Sequence, residues 1–339
     1  MRQDSAHAPF HEVHWELTNH CNLKCVHCYL APDARRELTT LEIHSLLDQL
    51  QAEGFLWLTL SGGEPLLRRD FSEIYRYAHD RGFLINVFTN GTRIKPDVVD
   101  LFRKYAPHMV EITLNGITAE TFERVTAVPG SFAECLSGIR SLHAAGTRLI
   151  LKSNGMTINI HEILEVKRFA QSLPGVQFKF DSVLMPRRDH DLAPTKLRLK
   201  PAQLMALYEE DQAMKREIQE ACGNVLDEPP LADKAFTCRA AKTKFHISAW
   251  GDLHPCSTVR PIRISLLEFP LKEAIPRLAE MVEAVEMPKE SKCSGCKIFS
   301  QCASCPGLAH LERRSHVLPV EDHCESAHTL VRTYAPGIV

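Results

Sequence analysis

The stretch Val13–Tyr29, VHWELTNHCNLKCVHCY, decides how the rest of the chain is interpreted. Its first residues, Val13–Leu17, are predicted to form a strand. Cys21, Cys25 and Cys28 follow in the spacing C-x3-C-x2-C, here called the cysteine loop. Three thiolates on one tight loop can hold three corners of a cubic iron–sulfur cluster and leave the fourth iron without a protein ligand. An iron with an open position can bind and reduce a second molecule, unlike a closed structural zinc site, so the loop predicts an enzyme.

A second motif, Ser61–Pro65 (SGGEP), ends the next strand-like segment, Leu56–Leu60, about forty residues after the cysteine loop. Glycines let backbone approach a ligand closely, and a carboxylate suits an ammonium group. Together with the cysteine loop, this motif resembles the radical S-adenosylmethionine (SAM) superfamily. The resemblance implies that the three thiols hold the [4Fe–4S] cluster of the reaction centre. It also implies that Gly62, Gly63 and Glu64 hydrogen-bond the amino group of SAM.

Strand and helix patterns alternate from Val13 to about Ser182, which predicts six βα units and a parallel sheet. The predicted strands are Val13–Leu17, Leu56–Leu60, Leu84–Phe88, Val110–Leu114, Leu149–Ser153 and Val176–Asp181. The predicted helices are Thr40–Glu53, Phe71–Arg81, Asp97–Lys104, Phe132–Ala145 and Ile160–Ser172. The fold class is therefore α/β, and the resemblance implies a partial (β/α)6 TIM-like barrel with its active site at the carboxyl ends of the strands.

The chain is expected to divide into four segments. They are an N-terminal tail (1–12), the barrel (13–186), a linker with a bridging helix (187–226) and a small cysteine-rich α+β domain (227–339). The linker is predicted from the polar, Pro-containing stretch Arg187–Lys200. The bridging helix is predicted over Pro201–Ala221, because Pro is well tolerated in the first turn.

Composition and charge exclude several classes of protein. With 339 residues and a formal charge of −2, the chain offers no electrostatic case for nucleic acid or an anionic membrane. The polar start Met1–His11 lacks the apolar region of a signal peptide, and no apolar run approaches the length of a membrane span. We therefore expect a cytoplasmic protein with reduced thiols, in which twelve cysteines need an explanation other than disulfides.

Further candidate cofactor-binding residues follow the later predicted strands. They are Thr89, Asn90, Thr113, Asn115, Lys152 and Asp181. The resemblance places Thr89 and Asn90 in the cofactor cleft, although Asn-Gly is equally a turn signal. It places Thr113 and Asn115 at the ribose hydroxyls, where relatives more often have Ser and Asp; a plain strand end is the alternative. Lys152 and Asp181 either face the cleft or form paired strand-end charges.

Two more side chains near this cleft have simpler expected roles. His27 lies inside the cysteine loop, where the family usually has an aromatic ring, and it is expected to pack on the adenine or shield the cluster. Cys135 lies on a predicted helix and is expected to be a small buried hydrophobe, not a ligand.

A cysteine array occupies the last third of the chain. Its members are Cys238, Cys256, Cys293, Cys296, Cys302, Cys305 and Cys324. Two C-x2-C pairs alone would suggest a zinc ribbon, but the order resembles the SPASM extension of radical enzymes. A hairpin-like stretch between Cys238 and Cys256, Phe245–Ala249 followed by Leu253–Pro255, is expected to form a small β support.

The SPASM resemblance implies two auxiliary [4Fe–4S] clusters. The outer set of ligands would be Cys293, Cys296, Cys302 and Cys324, and the inner set Cys238, Cys256 and Cys305. The gap before Cys305 is one residue shorter than the family pattern. Cys222 is the candidate fourth ligand of the inner cluster; the alternatives are an open iron there and a core residue at a helix end.

The resemblance implies an oxidoreductase that cleaves SAM reductively to a 5′-deoxyadenosyl radical and removes hydrogen from a substrate. It uses SAM, three [4Fe–4S] clusters and a low-potential donor such as flavodoxin or ferredoxin. We expect a ribosomally made peptide as substrate. Because the barrel starts by residue 13, a separate leader-binding protein is one possible partner. The alternatives are a haem-pathway or other small-molecule substrate and, in another class, a non-catalytic zinc-binding interaction protein.

Overall fold

The computed structural model describes residues 11–223, 234–299, 302 and 305–338. The predicted tail (1–12) therefore lies almost entirely outside the described residues, and so does the predicted boundary between 226 and 227. Among the described residues, no helix is both long and apolar enough to cross a lipid bilayer.

Strands and helices alternate through the first half of the chain. In order they are β1 (His11–Thr18), α1 (Thr40–Ala52), β2 (Phe55–Gly62), α2 (Phe71–Asp80), β3 (Leu84–Thr89), α3 (Pro96–Lys104), β4 (Met109–Thr113), α4 (Ala119–Thr126), α5 (Ser131–Ala144), β5 (Leu149–Asn154), α6 (Ile163–Ser172) and β6 (Gln177–Asp181). The six strands β1 to β6 pair in parallel in chain order. The predicted α/β fold with a parallel sheet is confirmed.

The remaining elements build the C-terminal region. They are α7 (Pro201–Glu210), α8 (Gln212–Gly223), β7 (Lys244–Ile247), β8 (Asp252–His254), β9 (Ile264–Ser265), α9 (Leu271–Glu283), α10 (Pro306–Arg313) and α11 (Glu321–Tyr334). The segment predicted as a linker contains a short 3₁₀ helix, Ala193–Leu197. The single helix predicted over Pro201–Ala221 is broken at Asp211, whose carboxylate accepts the backbone N–H groups of Ala213 and Met214 and starts α8.

The C-terminal region continues the barrel sheet. Strand β7 pairs in parallel with β1, with Glu12 opposite Lys244, and β8 and β9 extend the sheet in antiparallel pairing. Within the described residues the strand order is β6-β5-β4-β3-β2-β1-β7-β8-β9. The expected β7–β8 hairpin is confirmed, but it is an extension of the sheet as well as a support between two cysteines.

The sheet has one apolar and one polar face. On β1, Val13, Trp15 and Leu17 point into the helix layer and are almost completely buried, while His14 and Glu16 alternate with them. The concave face of the later strands carries charged and amide groups, including an ion pair between Lys179 and Glu111 at 3.1 Å. The apolar face of the sheet packs against the helices and forms the core, so the polar concave face is free to form a functional site.

Glu16 is the most strongly connected charge of that concave face. Its carboxylate, 2% exposed, pairs with Arg188 from the segment after β6 and with Arg260 from the segment after β8. His246 on β7 lies 3.5 Å from the same carboxylate. Burial alone would raise the pKa of Glu16, but Arg188 and His246 outweigh it and hold the pKa well below its ordinary value.

We expect Glu16→Gln to lower the free energy of unfolding by about 3–5 kcal/mol, because it leaves two guanidinium groups without their buried partner. The matched control is Glu12→Gln on the same strand, whose partner Lys244 is largely exposed, and its cost should stay below about 1 kcal/mol. Urea unfolding followed by circular dichroism measures both. Equal costs for the two variants would contradict the central position of Glu16.

The pairing of Glu16 also predicts how the stability of the protein depends on pH. Because the pKa of Glu16 is lowered on folding, its contribution to the free energy of unfolding is complete above an ordinary carboxyl pKa. That contribution is lost as the pH falls through the folded-state pKa. The acid limb of stability should therefore be shallower in Glu16→Gln than in Glu12→Gln.

Candidate active site

The cysteine loop follows β1 and is fixed by backbone hydrogen bonds. Lys24 N–H donates to Thr126 O at 3.0 Å and Val26 N–H to Val125 O at 2.9 Å, which attaches the loop to the end of α4. Cys28 N–H donates to Cys25 O at 3.0 Å and closes a turn between two of the thiols. The loop is therefore held in place by the barrel before any ligand is considered.

The three thiols of the loop suit a polynuclear cluster. Cys21 is exposed, and Cys25 and Cys28 are half-buried. Burial raises the pKa of Cys21 to about 11, and burial with the neighbouring thiols raises that of Cys25 to about 12. These thiols therefore need a metal cation to become thiolates. In the described part of the chain, no three His, Cys, Asp or Glu side chains are arranged to hold a single metal ion.

The two glycines at the end of β2 pack against the cysteine loop. Gly63 N–H donates to Thr18 O, and Glu64 N–H donates to His20 O, each at 2.8 Å. A Cβ at Gly62 would lie 2.3 Å from Thr18 O, and one at Gly63 would lie 2.3 Å from His20 O. Glycine was expected here for close approach to a ligand; the close approach in the structure is to the cysteine loop itself.

The Glu64 carboxylate is fully buried and joins the ends of two strands. It accepts hydrogen bonds from the Thr89 hydroxyl and the Asn90 N–H, each at 2.8 Å, and from Leu66 N–H at 3.1 Å. Burial raises its pKa to about 7 despite these donors. The carboxylate has no exposed surface, so any contact from this segment to a ligand's ammonium group would come from backbone oxygens.

Asn90 connects the end of β3 to the cysteine loop. Its amide nitrogen lies 3.8 Å from Cys21 Sγ and donates to Asn22 Oδ1 at 3.1 Å. Thr89 and Asn90 therefore both lie beside Glu64, and Asn90 also lies beside the first thiol. Their place in the cofactor cleft stays a prediction.

Asn115 connects β4, β5 and the cysteine loop. Its Oδ1 accepts from Asn154 N–H at 2.8 Å, and its Nδ2 lies 3.4 Å from His27 Nε2. Burial, with Lys152 nearby, lowers the pKa of His27 to about 4, so the ring is neutral. Thr113 ends β4 with a half-buried side chain. Asn154 was missed by sequence reasoning, because the predicted strand stops at Ser153, whereas β5 ends at Asn154.

Lys152 and Asp181 pair with each other at 3.0 Å. This geometry agrees with the alternative interpretation, paired strand-end charges on neighbouring strands. Cys135 is completely buried beside Gly91, as expected of a core thiol.

The C-terminal cysteines surround a cavity of about 150 Å³. Its lining includes Cys293, Cys296, Cys302, Cys305 and Cys324. A water molecule occupies about 30 Å³ in the liquid, so the space is far larger than one metal ion needs. Soft sulfur donors around such a space suit an iron–sulfur cluster. The four members of the outer set all lie here.

The inner set is brought together only in part. The Thr258 hydroxyl lies 3.1 Å from Cys256 Sγ and 3.7 Å from Cys305 Sγ, which places these two thiols side by side. Cys238 is exposed. Cys222 is buried with Ile298, next to Cys296 and Cys302 of the outer set. This position agrees with the alternative of a core residue at a helix end, and the role of Cys222 at the inner cluster stays a prediction.

Sequence reasoning missed three charged residues beside the cysteine loop. Glu16, Arg188 and Arg260 come together although they are far apart in the sequence. Arg188 N–H also donates to Tyr29 O at 2.9 Å, directly after Cys28. The available signal was Glu16, a carboxylate near the end of a predicted strand, but Arg188 lies in the polar stretch Arg187–Lys200, which was interpreted as a linker.

We expect Gly63→Ala to displace the cysteine loop, because its Cβ would overlap His20 O. The free energy of unfolding should fall by about 1–3 kcal/mol, and the visible absorption of the bound cluster should weaken. Gly223→Ala is the control, since its Cβ would meet nothing within 4 Å, and its effect should stay within about 0.5 kcal/mol. Similar behaviour of both variants would contradict the close packing of strand end and loop.

Comparison with known proteins agrees with this site. An AdoMet-dependent heme synthase of Methanosarcina barkeri is 28% identical to this chain, over 92% of the chain and 95% of the relative. The mycofactocin maturase MftC of Mycobacterium ulcerans is 37% identical over 39% of this chain and 36% of its own length. Streptococcus suis SuiB, solved with its precursor peptide SuiA, has the same fold, with a TM-score of 0.73 and 19% identity over 92% of this chain and 75% of SuiB.

The family model described as the radical SAM superfamily matches residues 15–170. That range contains the cysteine loop, the glycine-rich end of β2 and the ends of β3, β4 and β5. Residues 15–170 are therefore similar to the radical S-adenosylmethionine superfamily, and this region is a little under half of the chain.

Proposed function

We propose that this chain is a radical SAM oxidoreductase that oxidatively modifies a peptide. One observation carries the catalytic part of the proposal. One cavity is lined both by residues that follow Cys28 in the chain and by residues that follow Cys256, so a substrate there would contact segments that lead away from two of the thiol sites. That arrangement suits hydrogen abstraction at one site and electron acceptance at the other.

The residues of the chain have distinct proposed roles. Cys21, Cys25 and Cys28 would hold the cluster that binds SAM, and Asn90 would lie beside the first of these thiols. When bound, SAM and a reduced cluster supply a carbon radical that can remove hydrogen from an unactivated C–H bond. The buried Glu64 keeps the ends of β2 and β3 together around that site.

Asn115 and Thr113 would contact the ribose of SAM at the end of β4. The outer and inner sets of cysteines would hold auxiliary clusters that accept the electron left on the substrate. A low-potential protein donor, of the flavodoxin or ferredoxin kind, would reduce the first cluster. The protein's own contribution is to bind, orient and exclude water.

Two comparisons support a peptide substrate. SuiB, whose fold covers both the barrel and the C-terminal region of this chain, was solved with a precursor peptide. MftC, named as a maturase, resembles part of the chain at higher identity. The polar concave face of the sheet also offers hydrogen-bonding groups to an extended chain.

A haem precursor is the second candidate, and a specific observation favours it. The M. barkeri haem synthase matches nearly the full length of both proteins, so it has the barrel and C-terminal region in similar proportions. The reaction class would remain oxidative, with hydrogen removed from a side chain of the macrocycle instead of a peptide.

Replacing Cys21, Cys25 and Cys28 together with Ala should abolish 5′-deoxyadenosine formation, because no thiolate remains to hold the first cluster. Iron should fall by about four atoms per chain from a total of ~12, if each site holds a four-iron cluster. Chromatography of the nucleoside and iron analysis of anaerobically purified protein measure both. Cys135→Ala is the thiol control, and it should keep both. Persistent cleavage of SAM in the triple variant would contradict the assignment.

Incubation of the wild-type protein with SAM, reductant and candidate substrates separates the two substrate classes. A peptide substrate should lose a hydrogen pair on cross-linking or desaturation, detected by mass spectrometry, and a haem precursor should change in its side chains. The no-substrate reaction is the control for uncoupled cleavage. Turnover of the haem precursor with no change in any peptide from the gene neighbourhood would overturn the peptide proposal.

A further inference from the structure

Four arginines line a cavity that is partly formed by the segment after the cysteine loop. The cavity has a volume of about 270 Å³. Its lining includes Ala31 and Pro32 from that segment, and Trp250 and His254 from the region of β8. The arginines are Arg35, Arg188, Arg260 and Arg263.

The inner pair of arginines, Arg188 and Arg260, shares one carboxylate. Both Nη atoms of Arg188 donate to Glu16, Nη1 to Oε2 at 2.8 Å and Nη2 to Oε1, and Arg260 Nη2 lies 3.0 Å from Glu16 Oε2. Two guanidinium groups against one carboxylate leave one positive charge in excess. The side chain of Arg188 is only 10% exposed, so this charge is poorly screened by water.

The inner pair also has unused donors. The Nε atoms of Arg188 and Arg260 are buried, and neither has a hydrogen-bond partner among the described residues. A buried donor without a partner is costly, and each guanidinium has five N–H groups to satisfy. An anion at the cavity wall beside these groups would offset the excess charge.

The outer pair of arginines is more nearly balanced. Arg35 and Arg263 lie 2.7 Å and 2.9 Å from Asp252, and Arg35 also pairs with Asp33 at 3.0 Å. The guanidinium of Arg35 lies 4.3 Å over the centre of the Trp250 ring, and this ring forms a flat apolar rim of the cavity. The remaining carboxylate of the lining, Asp189, pairs with Arg187. The excess positive charge therefore lies at the end of the cavity formed by Arg188 and Arg260, here called the inner end, next to the cysteine loop.

The neutral ring of His254 completes the inner end. It is 3% exposed, and burial, with His246 and Arg188 nearby, keeps its pKa well below the ordinary value. Its Nδ1 has no hydrogen-bond partner among the described residues. The inner end thus combines two cations and a neutral imidazole, with its one carboxylate already engaged.

We propose that this cavity binds a carboxylate group of the substrate, held by Arg260 and by the excess positive charge that Arg188 and Arg260 carry over Glu16. The planar fork of a guanidinium matches the two oxygens of a carboxylate. The inference rests on the proposed function, because it assigns the cavity to the substrate of the radical reaction. The candidate residues for SAM lie at the ends of β2 to β6, whereas Glu16 and His254 belong to β1 and β8, so we assign the cavity to the substrate and not to the carboxylate of SAM.

The position of the cavity explains what such binding would achieve. Arg188 is attached through its backbone to Tyr29, the residue after Cys28. A substrate carboxylate bound next to the Arg188 side chain would fix the substrate beside the reaction centre. Both substrate classes carry this chemistry, as propionate groups on a haem precursor or as acidic side chains on a peptide.

The test measures binding of paired probes to the anaerobically reconstituted protein. One pair is coproporphyrin III and its propionamide derivative; the other is a Glu-rich peptide and the same peptide with Gln. At least one acid should bind about tenfold or more tighter than its amide. The two acids distinguish the sources: tighter porphyrin binding points to the small molecule, and tighter peptide binding to the peptide.

Two variants locate the binding. Arg260→Lys keeps the positive charge beside Glu16 but removes the planar fork, and it should weaken the bound acid about tenfold. Arg263→Gln, on the exposed rim, is the second variant in case the first folds poorly, and it should weaken binding by only about twofold to threefold. Arg277→Lys, on α9 away from the cavity, is the control.

Equal binding of acid and amide in both pairs, or no binding of either acid, would overturn the inference, and so would unchanged affinity in a folded Arg260→Lys. Substrate-independent cleavage of SAM, measured in the same wild-type preparation, separates this from the proposed function. If cleavage is present without carboxylate-selective binding, only the inference fails. If cleavage is absent, the proposed function fails with it.

Discussion

The buried Glu16 carboxylate is the interaction on which the rest of the structure depends. It lies on β1, near the middle of the sheet, and binds one arginine from the segment after β6 and another from the segment after β8. These segments come from opposite ends of the sheet order. A single carboxylate therefore ties the two sides of the concave face together. Because the charges are buried, loss of one partner is expensive, which fixes the arrangement in one form.

The cysteine loop depends on a second set of constraints, made by backbone and not by charge. Glycines at the end of β2 let that strand lie against the loop without any side chain between them. Glu64 then binds the end of β3 to the same place. Such a support holds the thiols in fixed positions. A reactive metal site depends on this positioning more than on the overall stability of the fold. The strand ends and the loop form one rigid unit.

The sequence predicted the parts of the fold that are written in local patterns. The six strands of the parallel sheet were predicted from short apolar segments that lie between segments with helical periodicity. The helix α4 was missed, although Thr118 caps it and Phe122 and Val125 provide its buried side. The break at Asp211 was missed because the apolar period continues across it, while the carboxylate starts a new helix.

Long-range pairings could not be predicted from one sequence. Nothing near β7 says that it will pair with β1 in parallel, since register is set by the two strands together. Arg188 and Glu16 are separated by 172 positions, and only the closed fold brings them together. The surroundings of Cys222 were unpredictable for the same reason. Sequence spacing suggested a place near Cys238, whereas in the fold Cys222 lies in a buried cluster against which Cys296 and Cys302 pack.

The parallel pairing of β7 with β1 has a consequence for the modularity of the protein. If the last third of the chain were removed, β1 would become an edge strand with an open row of N–H and C=O groups. Its flank would also lose the cover of Phe245 and Ile247, which are almost fully buried. An isolated barrel would thus present a template for aggregation, so the barrel and the last third of the chain are expected to fold together.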